Sequence, residues 1–147
     1  MKLQYHIITS IPISFAIYFY FNSISAALIS FLSGVFIDID HILDYILHGK
    51  FSLHLKDYYL FSLERQFSKI YLFFHSFEIM ILLWIIISYF KLNLFWIAFV
   101  IGLTQHLILD CIFNSYIVLI NPLAYFFAFR AAKGFRKELL FKEIEEA

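Results

Sequence analysis

Four long apolar stretches dominate the chain, at residues 5–21, 24–47, 70–90 and 94–120. A bilayer core takes about 20 helical residues, so the last three are long enough to cross and the first is marginal. Backbone groups in lipid have to be satisfied within the segment, which predicts helices and not strands. Connections of two and three residues, Asn22-Ser23 and Lys91-Leu92-Asn93, predict antiparallel neighbours in a compact bundle. Pro12 is expected to kink the first segment. The pattern therefore predicts an all-α, polytopic membrane protein, with a four-transmembrane-helix bundle over residues 1–129. Residues 130–147, which include FRKELLFKEIEEA, read as a short amphipathic cytoplasmic helix lying on the membrane surface. Residues 48–69 mix aromatics with charges and read as an interfacial helix or a loop. A cleavable leader is the competing reading of the N-terminus, but its removal would leave an odd number of spans.

Composition sharpens this picture. Of 147 residues, 63% are hydrophobic and 15% charged, against about 45–50% apolar in ordinary soluble domains. The mean hydropathy is +0.83, which excludes a disordered chain and makes lipid the expected solvent. Four spans place ten of the eleven basic residues on the side of both termini and leave only Lys91 on the other. That asymmetry predicts cytoplasmic N- and C-termini. The net charge of zero gives no reason to expect a nucleic-acid partner. Cys111 is the single cysteine, so an intramolecular disulfide and a cysteine-rich zinc site are both excluded.

The chemistry lies in the charges inside the apolar stretches. Asp38, Asp40, Asp44, Glu78 and Asp110 lie within or at the ends of these stretches, which contain no Lys or Arg. A carboxylate at a helix centre costs roughly 2.5–3.5 kcal/mol on insertion scales, so these groups should share a polar cavity with a cation as counter-charge. His6, His41, His75 and His106 also sit within or at the ends of apolar segments. Four helices thus bring imidazole or carboxylate to one end of the bundle. Such a donor set suits zinc, manganese or iron, with zinc and manganese foremost, and one or two divalent ions.

Spacing refines the candidates. Ala27, Ser30, Gly34, Asp38 and His41 follow a 3-and-4 repeat, a small-residue stripe suited to close helix contact. On a straight helix Asp40 and Asp44 would lie about 160° and 120° from Asp38. Either the helix breaks near Ile37, or Asp44 and one other carboxylate face solvent or support a ligand; Asp44 reads as interfacial. Gly102, His106 and Asp110 stand four apart on one face, and His75 and Glu78 three apart.

These motifs, Gly34-Val-Phe-Ile-Asp-Ile-Asp-His41, His75-Ser76 and Gly102-Leu-Thr-Gln-His-Leu-Ile-Leu-Asp110, resemble the YdjM-like family of membrane-bound metal-dependent hydrolases. The likeness runs in order from His6 to Pro122, with Ile37 standing where the family has proline. It implies that His6, Asp38, Asp40, His41, His75, His106 and Asp110 are the functional, metal-binding positions. On this reading Asp38, His41, His106 and Asp110 are ligands, and Asp40, His75 and His6 complete that shell or hold a second ion. Asp40 or Glu78 would serve as general base for attack on an ester or phosphoester. A lipid or lipid-linked phosphate is the expected substrate and the bilayer the expected partner. Cation or proton transport, and a non-catalytic scaffold with a structural metal, are the alternatives. Transport needs polar groups through the whole depth, whereas the outer halves of the spans are nearly all apolar.

Overall fold

A computed structural model describes residues 3–48, 67–117 and 119–142. Among these residues the regular structure is helical, apart from two isolated β-bridges. The first helix, α1, runs over Leu3–Phe21 and contains Pro12. Asn22 turns the chain with φ 49°, and Ser23 caps α2 (Ile24–Phe36) by accepting the Ala26 N–H at 3.3 Å. The second apolar stretch is then interrupted. One 3-10 turn, Ile37–Ile39, separates α2 from α3 (Asp40–Leu47). The break near Ile37 thus forms without proline, with the Asp40 N–H bonding back to the Ile37 and Asp38 carbonyls.

The third stretch differs more from expectation. Its helix, α4, covers only Phe77–Phe90, and Ser76 caps it through Ile79 N–H. Residues 70–76 are not helical because their backbone groups find partners elsewhere. Asp44 accepts the Tyr71 N–H, Asp40 accepts those of Phe74 and His75, and Arg130 donates to the Leu72 and His75 carbonyls. After Lys91, at φ 49°, Asn93 accepts the Phe95 N–H and opens α5 (Leu94–Ile117).

A continuous amphipathic helix over 130–147 does not form within the described residues. Instead a 3-10 turn (Pro122–Tyr125) precedes α6 (Phe127–Ala132), and Lys137–Leu139 makes another 3-10 turn. Gly134 and Phe135, both left-handed at φ 62° and 59°, end the helix. The chain then returns to the bundle through the Leu119–Phe141 and Lys69–Arg136 bridges. Burial explains the return: Leu140 joins Ile70, Leu107, Leu119, Ala124 and Tyr125 in one apolar cluster. Most of the expected 48–69 element, and residues 143–147, lie outside the described residues.

At the centre α2 packs on α1 and α5, while α4 lies against α5. Small residues make that approach possible. A Cβ on Gly102 would collide with Ser33 Oγ and the Ser30 carbonyl, and one on Gly34 would sit 2.7 Å from Ser10 Oγ. Gln105 donates to Thr9 and Ser10, and Trp84 donates to Thr104, tying α1 and α4 to α5. Polar groups thus line the interior, while Ile24, Leu28, Leu32 and Phe36 form an exposed stripe along α2. Ile11, Phe15 and Phe19 do the same on α1. Ile24–Leu47 and Leu94–Ser115 are long and apolar enough to cross a membrane. The 14 residues of α4 span only about 21 Å at 1.5 Å per residue.

Candidate metal centre

Four parts of the fold deliver side chains to one point: the start of α1, the α2–α3 break, the turn before α4 and the middle of α5. His6, His75, His106 and Asp110 are buried there, and Asp38 and His41 are half-buried. Two overlapping groups of donor atoms result, His6/Asp38/His106/Asp110 and Asp38/His41/His75, each with its donor atoms within 4.8 Å of one another. Either group can hold a metal ion. Asp38 belongs to both.

The hydrogen bonds behind the rings decide which atoms point inward. His106 Nδ1 lies 2.9 Å from the Gly34 carbonyl, which can only accept, so Nδ1 carries the proton and Nε2 presents a lone pair. His75 Nδ1 lies 3.3 Å from Asp40 Oδ2, and that oxygen already accepts the Phe74 and His75 N–H groups at 2.7 and 3.2 Å. The carboxylate therefore orients His75, leaving Nε2 as the inward donor atom.

The inward atoms crowd together. His75 Nε2 and His106 Nε2 are 3.3 Å apart, and each is 3.3 Å from Asp38 Oδ1. Asp110 Oδ2 lies 3.5 Å from His106 Nε2 and 3.7 Å from His75 Nε2. Four lone-pair donors at these distances repel one another unless positive charge lies between them. An ion with ligands at about 2.0–2.1 Å in tetrahedral array has ligand–ligand edges of about 3.3–3.4 Å, close to what is seen. His6 stacks on His106 with ring centroids 3.8 Å apart, and its Nε2 is 3.3 Å from the other Asp110 oxygen, Oδ1. His41 Nε2 is 3.8 Å from Asp38 Oδ1.

The break at Ile37–Ile39 has a direct chemical consequence. Asp38 and Asp40 would point about 160° apart on a straight helix. Here they flank the same imidazole, Asp38 Oδ1 3.3 Å from Nε2 and Asp40 Oδ2 3.3 Å from Nδ1.

Three expectations need correction. Asp40 joins neither donor group; it stands behind His75, with its second oxygen buried and without a hydrogen bond. Asp44 is buried, not interfacial, because it accepts the Tyr71 N–H at 3.1 Å. Glu78 is not brought into the cluster. Both its oxygens accept N–H groups of Phe127 and Ala128, at 2.8 and 2.9 Å, at the start of α6. Its position suits the exposed amides of a helix N-terminus.

Arg130 was not singled out by the sequence pattern. It is buried, and its guanidinium donates to the carbonyls of Leu72, His75 and Ala124 at 2.7, 3.0 and 2.8 Å. Burial pulls its pKa below the ordinary value, but a guanidinium stays charged at any physiological pH. It locks the turn carrying His75 to the C-terminal segment. Its one signal in the sequence is the setting Phe127-Ala-Phe-Arg-Ala-Ala132, an arginine among apolar residues. Compared with protein-family models, curated proteins and solved structures, the chain matches none.

Proposed function

We propose that the chain is a polytopic protein of the cell membrane, crossed by its four apolar segments with both termini cytoplasmic. We further propose that it acts there as a divalent-metal-dependent hydrolase on a phosphoester or lipid-linked substrate. One observation carries the reading: His6, His41, His75, His106 and Asp110, from four segments, bring ring nitrogens or a carboxylate oxygen to within 4.8 Å of an Asp38 oxygen. The membrane setting is supported by an inside-out polarity, with serines, histidines and aspartates within and isoleucine, leucine and phenylalanine outside. Orientation rests on the ten-to-one basic asymmetry. The likeness to YdjM-like proteins points to the same chemistry.

His6, Asp38, His41, His75, His106 and Asp110 would hold the metal. When bound, a divalent ion supplies Lewis acidity and brings the ionisation of water towards neutrality. The chain's own residues do the positioning. Gly34 and Asp40 fix the ring orientations of His106 and His75, and Arg130 holds the His75 turn. Transport is the weaker reading, because Ile17, Ala26 and Ala98, with Ile13, Ile29, Leu94 and Ile101 around them, make an apolar seal further along the bundle.

The test is hydrolysis by full-length protein in detergent, stripped of metal and reloaded with zinc or manganese. Chromogenic phosphoesters and a phosphorylated lipid in micelles serve as substrates. Cation-dependent turnover that Asp38→Asn abolishes is the expected result. Metal-loaded, folded protein that cleaves none of them would overturn the hydrolase reading.

A further inference from the structure

Six donor side chains are more than one tetrahedral ion uses. Their arrangement is also uneven. His6, His106 and Asp110 are almost fully buried, whereas the side chains of Asp38 and His41 are 28% and 30% exposed. We infer that the cluster is an asymmetric two-cation centre bridged by Asp38. His6, His106, Asp110 and Asp38 enclose one ion, and His41 and His75 with the same Asp38 hold a second ion on the open side. This inference rests on the metal-binding reading above and deepens it.

Coordination chemistry supports the division. Metal sites closed by four protein ligands are structural, whereas three ligands and an open position are the mark of catalytic ones. The first group offers four donors, all buried except Asp38, and the second offers three, of which only His75 is buried. Neighbouring divalent ions that share carboxylates are a recurring device for phosphoester cleavage, because one can hold the nucleophile and the other the leaving oxygen. The open ion therefore faces substrate and exchanges with solvent, and the enclosed ion is retained.

His6 decides between this arrangement and a single ion. One ion held by Asp38, His75, His106 and Asp110 would satisfy the 3.3 Å contacts but leave His6 and His41 idle. His6 is fully buried; its Nδ1 has no hydrogen-bond partner, and the contact of its Nε2 is the Asp110 carboxylate at 3.3 Å. A buried ring nitrogen left unpaired is unfavourable. His6 Nε2 faces Asp110 Oδ1, while Asp110 Oδ2 faces His106. That geometry makes His6 a ligand of the enclosed ion and frees His75 to serve the second.

The experiment counts ions. Full-length protein in detergent is stripped, reloaded with manganese, desalted and measured by elemental analysis and electron paramagnetic resonance. Two ions per chain with an exchange-coupled spectrum are expected, and brief chelation should remove one of them. His41→Ala should keep one ion, uncoupled and resistant to that chelation. Should His41→Ala not fold, His41→Asn and the wild-type coupling decide the same question. A single ion per wild-type chain, unchanged by the His41 substitutions, would overturn the two-cation centre while leaving metal binding intact. No ion on folded wild-type protein would overturn the metal reading itself.

Discussion

The two ends of the bundle close in opposite ways. Around Ile17, Ala26 and Ala98, α1, α2 and α5 meet through small and branched apolar side chains that need no partner beyond contact. A few turns away the same helices bury His6, His106 and Asp110, whose ring nitrogens and carboxylate converge. The first end is self-sufficient once packed. The second gathers donor atoms that could hold a metal ion. A single scaffold of close-packed small residues, Gly34 and Gly102 foremost, serves both.

That contrast can be broken most strongly by changing the cation. Zinc or manganese at a hundredfold excess over its dissociation constant should add about 2.7 kcal/mol of stability, visible as a raised melting temperature in detergent. Chelation should reverse the gain, and Asp38→Asn should remove the response. An equal chelator effect on Asp38→Asn would place the stabilising ion elsewhere.

Arg130→Lys tests the turn that supports the polar end. Losing the fork that reaches the Leu72, His75 and Ala124 carbonyls should destabilise the fold by about 1–3 kcal/mol in denaturant unfolding. Metal affinity should fall as well, since the His75 turn loosens.

Asp40→Asn acts on orientation with little change in shape. It should weaken cation binding about 10-fold or more, because a partner behind a ligand histidine fixes its tautomer. Isothermal titration of the metal-free protein would measure this. Unchanged affinity would mean that Asp40 serves the backbone of residues 74 and 75 and not the ring.

Ile17→Val should have the smallest effect and the most selective one. Loss of one buried methylene costs about 0.5–1.5 kcal/mol, and cation affinity should stay the same. Equal loss at both properties would couple the two ends, contrary to the separation drawn above.

Much of the architecture is legible in the sequence. Asn22-Ser23 and Lys91-Leu92-Asn93 marked the turns, and both turns carry a residue at φ 49°. The repeat Ala27, Ser30, Gly34 pointed to the contact that α2 makes with α5. The His106/Asp110 pair is visible as a four-residue spacing on one helix face, since both residues belong to a single regular element. Asp44, Glu78 and Arg130 were not legible in the same way. Their partners lie 27, 49 or 50, and 55 or 58 residues away for Tyr71, Phe127 or Ala128, and His75 or Leu72.

The amino-acid order alone determined that the chain is helical and lipid-like in composition, and that its histidines and aspartates concentrate where apolar helices meet. Those properties follow from local periodicity and from the cost of leaving polar groups in an apolar setting. Tertiary structure decided that α2 breaks at Ile37–Ile39, that residues 70–76 stay out of helix, and that Asp40 and Glu78 serve neighbours. The reason is physical. A backbone amide or a carboxylate takes whichever partner the fold brings within about 3 Å, and that partner lies on another element, beyond the reach of any pattern along one segment.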